Sequence, residues 1–172
     1  FGSPDCEPIN FEPYKKSGKF RILFVGSMSQ RKGLADLFEA MKLLKNEPLS
    51  LSILGQPSMP MEFYHKQFSE FQYFPPCSNN KVREIMKMHD ALVLPSIVEG
   101  RALVQQEALS CGLSIIVTPN AGGEDLLEEG ITGHLVPIRS PEKIAEAITV
   151  MVSNRSNKEE IQNLCQKKAK DY

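Results

Sequence analysis

The sequence predicts an α/β protein with a doubly wound, Rossmann-like, mostly parallel sheet and helices on both of its faces. Two observations lead to this prediction. Short apolar runs alternate along the whole chain with segments of helical periodicity, and glycine or proline ends several of the runs. Strands separated by helical crossovers pair in parallel, so that helices come to cover both sheet faces.

The strands are predicted from apolar runs that stop at turn-forming residues. Phe20 to Val25 is ended by Gly26, and the run from Ala91 to Leu94 leads into Pro95. The predicted strands are 20–25, 49–54, 71–75, 91–94, 113–118 and 135–136.

The helices are predicted where apolar residues recur at spacings of three and four. The first helix carries that spacing at Leu34, Leu37, Phe38, Met41 and Leu44. Three further helices are predicted at 62–70, 79–90 and 102–111. Ser140 and Pro141 mark the start of the next helix, and Ser156 with Glu159 predicts a capping box that opens the last one.

The domain organisation follows from a change in composition near residue 20. Residues 1–19 are rich in proline and charge and lack a period, which indicates an interdomain linker or lead-in. Residues 20–172 form one domain, and a hydrophobic fraction of 41% is enough for a core without disulfides or metals. The chain does not begin with Met, which we interpret as a fragment or a processed product.

Composition also excludes several classes of function. With 20 Lys and Arg against 21 Asp and Glu, the chain lacks the basic excess of nucleic-acid binders. The apolar runs are too short to span a bilayer, and no signal peptide is visible. The cysteines form no C-x-x-C pair, which favours reduced thiols in a cytoplasmic protein. The histidines His65, His89 and His134 are scattered, so we predict no metal site and place His89 against a helix dipole.

The end of the first strand is the first candidate site, because doubly wound sheets bind ligands at the carboxyl ends of their strands. Gly26-Ser27-Met28-Ser29-Gln30-Arg31-Lys32-Gly33 lacks both the dinucleotide fingerprint and the P-loop, and this argues against a dehydrogenase. It still places Arg31 and Lys32 at a helix start, where cations are disfavoured unless an anion offsets them. An anion site and a solvated surface pair both remain open here.

The fourth predicted strand leads into the second candidate site. Glu99 lies at the strand exit, Gly100 permits a tight turn, and Glu107 lies further along the next helix. The free N–H groups near residues 102–104 suit a phosphate, and ionised carboxylates accept hydrogen bonds from sugar or ribose hydroxyls. In the alternative interpretation, Glu99 only caps the helix and Glu107 lies on a solvated face. A third loop, 119–125, is interpreted as an ordinary glycine turn.

Together these residues resemble the C-terminal, donor-binding domain of a family-4 retaining glycosyltransferase of GT-B fold, one of the glycosyl transferases group 1. The resemblance covers nearly the whole chain. It is carried by Val25-Gly26 with Arg31-Lys32-Gly33, by Pro95-Ser96-x-x-Glu99-Gly100 through Glu107-Ala108-Leu109-x-x-Gly112 (the E-x7-E motif), by Ile115-Ile116-Val117-Thr118 with Gly122-Gly123, and by Glu129-Gly130-x-x-Gly133-x-Leu135-Val136.

The resemblance implies a role for each matching position. Lys32 contacts the donor diphosphate, and Glu99 lies beside the donor sugar and the reacting carbon; these two are the implied catalytic residues. Backbone amides of Ala102, Leu103 and Val104 hold the diphosphate, and Glu107 binds the ribose hydroxyls. The implied donor-binding set is Gly26, Ser27, Arg31, Lys32, Gly55, Pro76, Cys77, Glu99, Gly100, Arg101, Ala102, Leu103, Val104 and Glu107. Ser27 stands where many members carry Arg, so Arg31 or Arg101 would have to supply that charge.

The resemblance further implies half of an enzyme, which transfers a sugar from a nucleotide diphosphate sugar and needs an N-terminal acceptor-binding domain for activity. It implies no cofactor and no metal, and it leaves membrane association of the full-length protein open. Two alternatives remain: a non-catalytic nucleotide- or phosphate-binding module, and another GT-B enzyme such as a nucleotide-sugar epimerase. The sequence identifies neither the base, the sugar nor the acceptor.

Overall fold

The structure, a computed structural model, describes residues 18–97, 103–122 and 124–172. Of the predicted lead-in it therefore describes only Gly18 and Lys19. The strands are β1 (Phe20–Val25), β2 (Leu49–Leu54), β3 (Phe71–Phe74), β4 (Ala91–Leu94), β5 (Ser114–Val117) and β6 (Gly133–Leu135). The helices are α1 (Leu34–Leu43), α2 (Met61–Gln67), α3 (Asn79–Lys87), α4 (Leu103–Ser110), α5 (Pro141–Ser153) and α6 (Lys158–Asp171).

All six strands form one sheet in the order β3-β2-β1-β4-β5-β6, and every pairing is parallel. The predicted doubly wound α/β fold is confirmed. The strand order reverses between β1 and β4, which is the switch point where ligands bind in such sheets. Because crossovers are right-handed, the reversal places the helices on opposite faces of the sheet. On one face α1 packs against α5, and on the other α4 packs against α6.

The core lies between these layers. The central strands β4 and β5 are buried at every residue, which explains why each appears in the sequence as an uninterrupted apolar run or nearly so. In α1 the buried residues include Leu34, Leu37, Phe38 and Met41, so the predicted apolar face of this helix is the one that packs on the sheet. Among the described residues no helix is long and apolar enough to cross a membrane.

Several element boundaries were predicted wrongly: α2 ends at Gln67 rather than at residue 70, and α3 ends at Lys87 rather than at residue 90. The last strand is Gly133–Leu135 rather than 135–136, because Gly133 pairs with Ile115. A Cβ atom at Gly133 would lie 1.9 Å from the Ile115 carbonyl oxygen, so this strand position requires glycine. In a sequence, glycine indicates a turn rather than a strand. The capping box at the last helix is also wrong. A 3-10 turn, Arg155–Asn157, leads directly into α6, and Asn157 rather than Ser156 precedes the helix without a side-chain cap.

Candidate functional site

The carboxyl edge of the sheet brings several of the predicted site positions into one row. Following the strand order, Pro76 and Cys77 come after β3, Gly55 after β2, Gly26 after β1, and Pro95 after β4. The row crosses the switch point between β1 and β4. Cys77 is buried and Pro76 is half-buried. The structure thus places these described positions side by side along a single edge of the sheet.

Gly55 and Gly26 meet at a very close backbone approach. A Cβ atom at Gly55 would lie 1.7 Å from the carbonyl oxygen of Gly26, so position 55 requires glycine. The N–H of Gly26 donates to Leu54 at 2.9 Å, and the N–H of Gly55 donates to Phe74 at 3.2 Å. The ends of β1, β2 and β3 are therefore joined by backbone hydrogen bonds.

Lys32 lies across the end of β1. Its aliphatic carbons would be 3.8 Å from a Cβ atom at Gly26, where φ is +149°. The residue belongs to a 3-10 turn in which the N–H of Lys32 donates to Ser29 at 3.2 Å. The turn ends at Gly33, whose φ is +73° and whose Cα approaches β4 so closely that a Cβ would lie 2.0 Å from the Pro95 carbonyl oxygen. The chain thereby carries Lys32 to the switch point.

Three hydrogen bonds join the loops that follow β1, β4 and β5. The N–H of Ile97 donates to the Arg31 carbonyl at 2.8 Å, and the side-chain amide of Asn120 donates to the Ile97 carbonyl at 2.9 Å. The buried Thr118 hydroxyl donates to Ser96 at 2.5 Å. The turn with Arg31 and Lys32 is therefore held beside the segment that leads toward Glu99.

Four predicted site residues, Glu99, Gly100, Arg101 and Ala102, lie outside the described residues, and their roles stay predictions. Val98 and Gly123 also lie outside the described residues. The two predicted positions that open α4 are described: Leu103 is exposed and Val104 is half-buried. Glu107 is half-buried one turn further along and lines an open groove between α3, α4 and α6, together with Arg83 and Lys170.

Ser27 and Arg31 are both exposed. The Ser27 hydroxyl lies 3.3 Å from that of Ser29, so Ser27 supplies no charge where the resembling family often has Arg. The Arg31 guanidinium pairs with no carboxylate in the part of the chain that the structure describes. Its charge remains directed at solvent beside the end of β1.

Sequence reasoning missed two tyrosines that brace this edge. The hydroxyl of Tyr64, on α2, contacts the loops after β1 and β2, and the hydroxyl of Tyr73 donates to the Gly55 carbonyl at 2.8 Å. A buried tyrosine almost always finds a partner for its hydroxyl. That rule predicts a partner for the Tyr64 hydroxyl but does not identify Met28 as its acceptor, because Met28 lies 36 positions away in the sequence.

Gln105, in the first turn of α4, was missed as well. It is fully buried, and its side-chain amide N–H donates to the Ala121 carbonyl at 3.1 Å. Its Oε1 atom has no hydrogen-bond partner among the described residues. The contact joins the start of α4 to the loop after β5, so Gln105 helps to position the helix that carries Glu107.

The amino edge of the sheet has a different kind of polar cluster. Asp90 accepts bonds from Arg21 Nε at 3.2 Å and from Lys158 Nζ at 2.7 Å. Burial opposes the ionisation of Asp90, but hydrogen bonds from Lys158 and Arg21 outweigh it and hold the pKa of Asp90 below its ordinary value. A cavity of about 210 Å³ lies here, lined in part by Lys19, Asp90 and Arg155, and it contains none of the predicted site residues.

His89 lies beside this cluster, at the end of α3. Its Nδ1 donates to the Ile85 carbonyl at 2.7 Å, within the last turn of the helix. Burial lowers the pKa of His89 to about 4, so the ring is neutral at pH 7. The histidine therefore interacts with the helix end as a neutral hydrogen-bond donor rather than as a cation. Across the described residues, no group of three His, Cys, Asp or Glu side chains is placed to hold a metal ion.

Comparisons with known proteins identify the family of the chain and the fold that it shares. The family model described as glycosyl transferases group 1 matches residues 6–171. The chain belongs to the glycosyl transferases group 1. Among its relatives is the D-inositol 3-phosphate glycosyltransferase of Paenarthrobacter aurescens, with 27% identity over 164 residues. The match covers 89% of this chain and 40% of that protein, so this group 1 chain spans about two fifths of the length of this relative.

Solved glycosyltransferase structures share the fold of this group 1 chain. The C-terminal domain of LpcC, a glycosyl transferase group 1 family protein from Francisella tularensis, superposes with a TM-score of 0.77 at 19% identity, covering 88% of this chain and 85% of that one. HepE from Anabaena, in complex with UDP-glucose, gives a TM-score of 0.76 at 18% identity, covering 89% of this chain and 44% of that one. At these identities the likeness shows the fold.

Proposed function

We propose that the chain is the donor-binding half of a retaining glycosyltransferase that transfers a hexose from a nucleotide diphosphate sugar to an acceptor. The observation that carries this proposal is the position of Lys32 over Gly26, at the switch point and beside the loop after β4. A cation placed there suits a diphosphate, because ligands of doubly wound sheets bind at this place. The UDP-glucose complex of HepE, which has the same fold, supports the assignment.

Each part of the edge has a role in this proposal. Lys32, with Arg31 exposed next to it, offsets the charge of the diphosphate, and the first N–H groups of α4 contact the same phosphates. Glu99 lies beside the sugar, and Glu107 accepts hydrogen bonds from the ribose. The base lies near Gly55, Pro76 and Cys77. No cofactor or metal is part of the proposal, since cations and helix amides supply the electrostatic stabilisation of the leaving phosphate.

Nucleotide binding tests the proposal directly. We expect the chain to bind one of UDP, GDP and ADP in isothermal titration calorimetry, and Lys32→Ala to weaken that binding by about ten- to a hundredfold, as the loss of a charge-assisted hydrogen bond predicts. Lys42→Ala is the matched control, because Lys42 is an exposed lysine on the following helix, α1, and pairs with Glu39 in the described part of the chain. Unchanged affinity in Lys32→Ala would show that Lys32 is a solvated surface charge.

The half-enzyme assignment has its own test. Positioning two reactants against each other contributes on the order of 7–11 kcal/mol to such a transfer. We infer that the acceptor hydroxyl is held by a domain outside these 172 residues, and that an isolated donor half leaves the cleft open to water. Sugar transfer should therefore be absent with residues 1–172 alone and present when an acceptor-binding domain precedes them. Robust transfer by the 172-residue chain would overturn this assignment.

A further inference from the structure

We propose that the Tyr64 hydroxyl is a positioning group for the carboxyl edge: by fixing Met28 it sets the place of Lys32, and through Lys32 the affinity for a nucleoside diphosphate. This inference rests on the proposed function and assigns to α2, which contributes none of the predicted site residues, control over the site.

The hydroxyl of Tyr64 is fully used by backbone groups. It donates to the Met28 carbonyl at 2.6 Å and accepts from the N–H groups of Ser58 at 2.9 Å and Met59 at 3.1 Å. One donor and two acceptor positions are all that a tyrosine hydroxyl offers. Tyr64 is itself only 3% exposed, so its ring is fixed in the core and the hydroxyl is held in place.

Met28 is the base of the turn that carries Lys32. Its N–H donates to the Gln56 carbonyl at 2.9 Å, and its side chain is buried at 2% exposure. With the Tyr64 bond to its carbonyl, Met28 is fixed at all three of its groups. The turn starts at the next residue, where the carbonyl of Ser29 accepts the N–H of Lys32. Between the fixed Met28 and Lys32 there is thus a single hydrogen-bonded turn.

Removing the hydroxyl releases this arrangement without emptying the core. Tyr64→Phe keeps the ring and leaves the Met28 carbonyl and the Ser58 and Met59 N–H groups without their partner. The Met28 carbonyl belongs to a buried residue, and a buried carbonyl that loses its partner favours conformations in which water reaches it. The loop then spends less time in the arrangement that places Lys32 over Gly26. The apparent dissociation constant rises by the inverse of the population that remains competent.

The chain offers a matched control at the opposite edge of the sheet. The hydroxyl of Thr132, 1% exposed, accepts from the Glu128 N–H at 2.8 Å and donates to the Leu126 carbonyl at 3.3 Å. Thr132→Val therefore also removes a buried hydroxyl that joins a turn to the sheet. It does so just before β6, away from the predicted site, and reports what a loss of stability alone does to binding.

The experiment measures nucleotide affinity and amide hydrogen exchange in the wild-type chain, Tyr64→Phe and Thr132→Val, at a temperature where circular dichroism shows all three folded. UDP, GDP and ADP are the probes, and the one that the wild type binds best is used. We expect Tyr64→Phe to bind about tenfold more weakly, with faster exchange at the Ser58, Met59 and Lys32 N–H groups. Thr132→Val should bind like the wild type.

Three results would overturn the proposal. Equal affinity of Tyr64→Phe and the wild type would show that the hydroxyl does not set the site. An equal loss in Thr132→Val would show that affinity follows stability. A wild-type chain that binds none of the three nucleotides would overturn the proposed function, and this inference with it.

Discussion

At the amino edge of the sheet, Arg21 and Lys158 both bond to the carboxylate of Asp90, whereas at the carboxyl edge Arg31 is exposed and Lys32 lies over a glycine. The amino edge is held by charges that pair with each other. The described contacts of the carboxyl edge include the close approach of two glycines, loop-to-loop backbone hydrogen bonds, and the hydroxyls of Tyr64 and Thr118.

The difference indicates a division of labour between the two edges. An ion pair that stabilises the fold has its charges already compensated, so a ligand gains little from them. The exposed Arg31 of the carboxyl edge pairs with no carboxylate among the described residues, so it can meet an anion without breaking an ion pair of the fold. Substitutions at the amino edge should therefore alter stability and spare binding, and substitutions of charged residues at the carboxyl edge should do the reverse.

The largest expected effect comes from filling the glycine approach. Gly55→Ala places a methyl group against the Gly26 carbonyl at a distance no real structure tolerates, so the ends of β1 and β2 must separate. We expect a loss of about 4 kcal/mol in the free energy of unfolding, measured by urea denaturation. Gly130→Ala, at the amino edge, is the comparison: φ there is +77° but nothing lies within 4 Å, so about 1 kcal/mol should be lost. Equal losses of unfolding free energy in the two variants would show that the backbones of Gly55 and Gly26 can move apart at little cost.

Breaking the ion cluster of the amino edge should come next. Asp90→Ala leaves Arg21 and Lys158 without their shared carboxylate, and removing one partner of a buried ion pair costs about 3 kcal/mol. Glu39→Ala, which breaks an exposed pair with Lys42, should cost at most about 0.5 kcal/mol. Both variants should keep the wild-type nucleotide affinity. Weaker nucleotide binding in Asp90→Ala would show that the two edges are energetically coupled, which would contradict the proposed difference between them.

The pH dependence of stability should also be set at the amino edge. His89 has its pKa lowered to about 4 in the folded chain against 6.5 in the unfolded chain, so below pH 6.5 the unfolded state binds the proton and the folded state does not. Stability should therefore fall by about 2 kcal/mol between pH 7.5 and 5. His89→Asn keeps a donor for the Ile85 carbonyl without a titrating ring and should lose most of that slope. A slope unchanged in His89→Asn would assign the titration to another group.

The strands were predictable because parallel strands covered on both faces are apolar throughout, as β4 shows at every residue. Alternation of strands and helices then fixes the fold class. The exact extent of β6 was not predictable, because Gly133 serves as a strand residue only where the Ile115 backbone approaches it. Local composition does not encode an approach between segments that are far apart in the sequence.

For the same reason, only part of the candidate site could be predicted from the sequence. The placement of Gly26 and Lys32 at the carboxyl edge could be predicted, because the end of a strand is visible in the sequence and the fold class says where ligands bind. The bracing by Tyr64 could not, because its hydroxyl meets Met28, 36 positions away, only once α2 has packed against the sheet. Residues that would touch a ligand can be predicted from local sequence patterns. Residues that hold them in place are identified only from tertiary contacts.

The smallest expected effect compares one carboxylate of each edge. Glu107, half-buried on α4, takes no part in an ion pair among the described residues, whereas Asp90 takes part in two. If Glu107 binds the ribose, Glu107→Gln keeps its shape, removes its charge and part of its acceptor capacity, and should weaken nucleoside diphosphate binding about tenfold, or 1.4 kcal/mol. Stability should stay at the wild-type value.

Pyrophosphate provides the control for that variant, because it carries the phosphates and lacks the ribose. Calorimetry should show wild-type affinity for pyrophosphate in Glu107→Gln and a loss only for the nucleotide. Equal losses for both ligands would place Glu107 at the phosphates instead. A loss of stability without a loss of affinity would make Glu107 a structural carboxylate like Asp90, and the two edges would then differ in their cations alone.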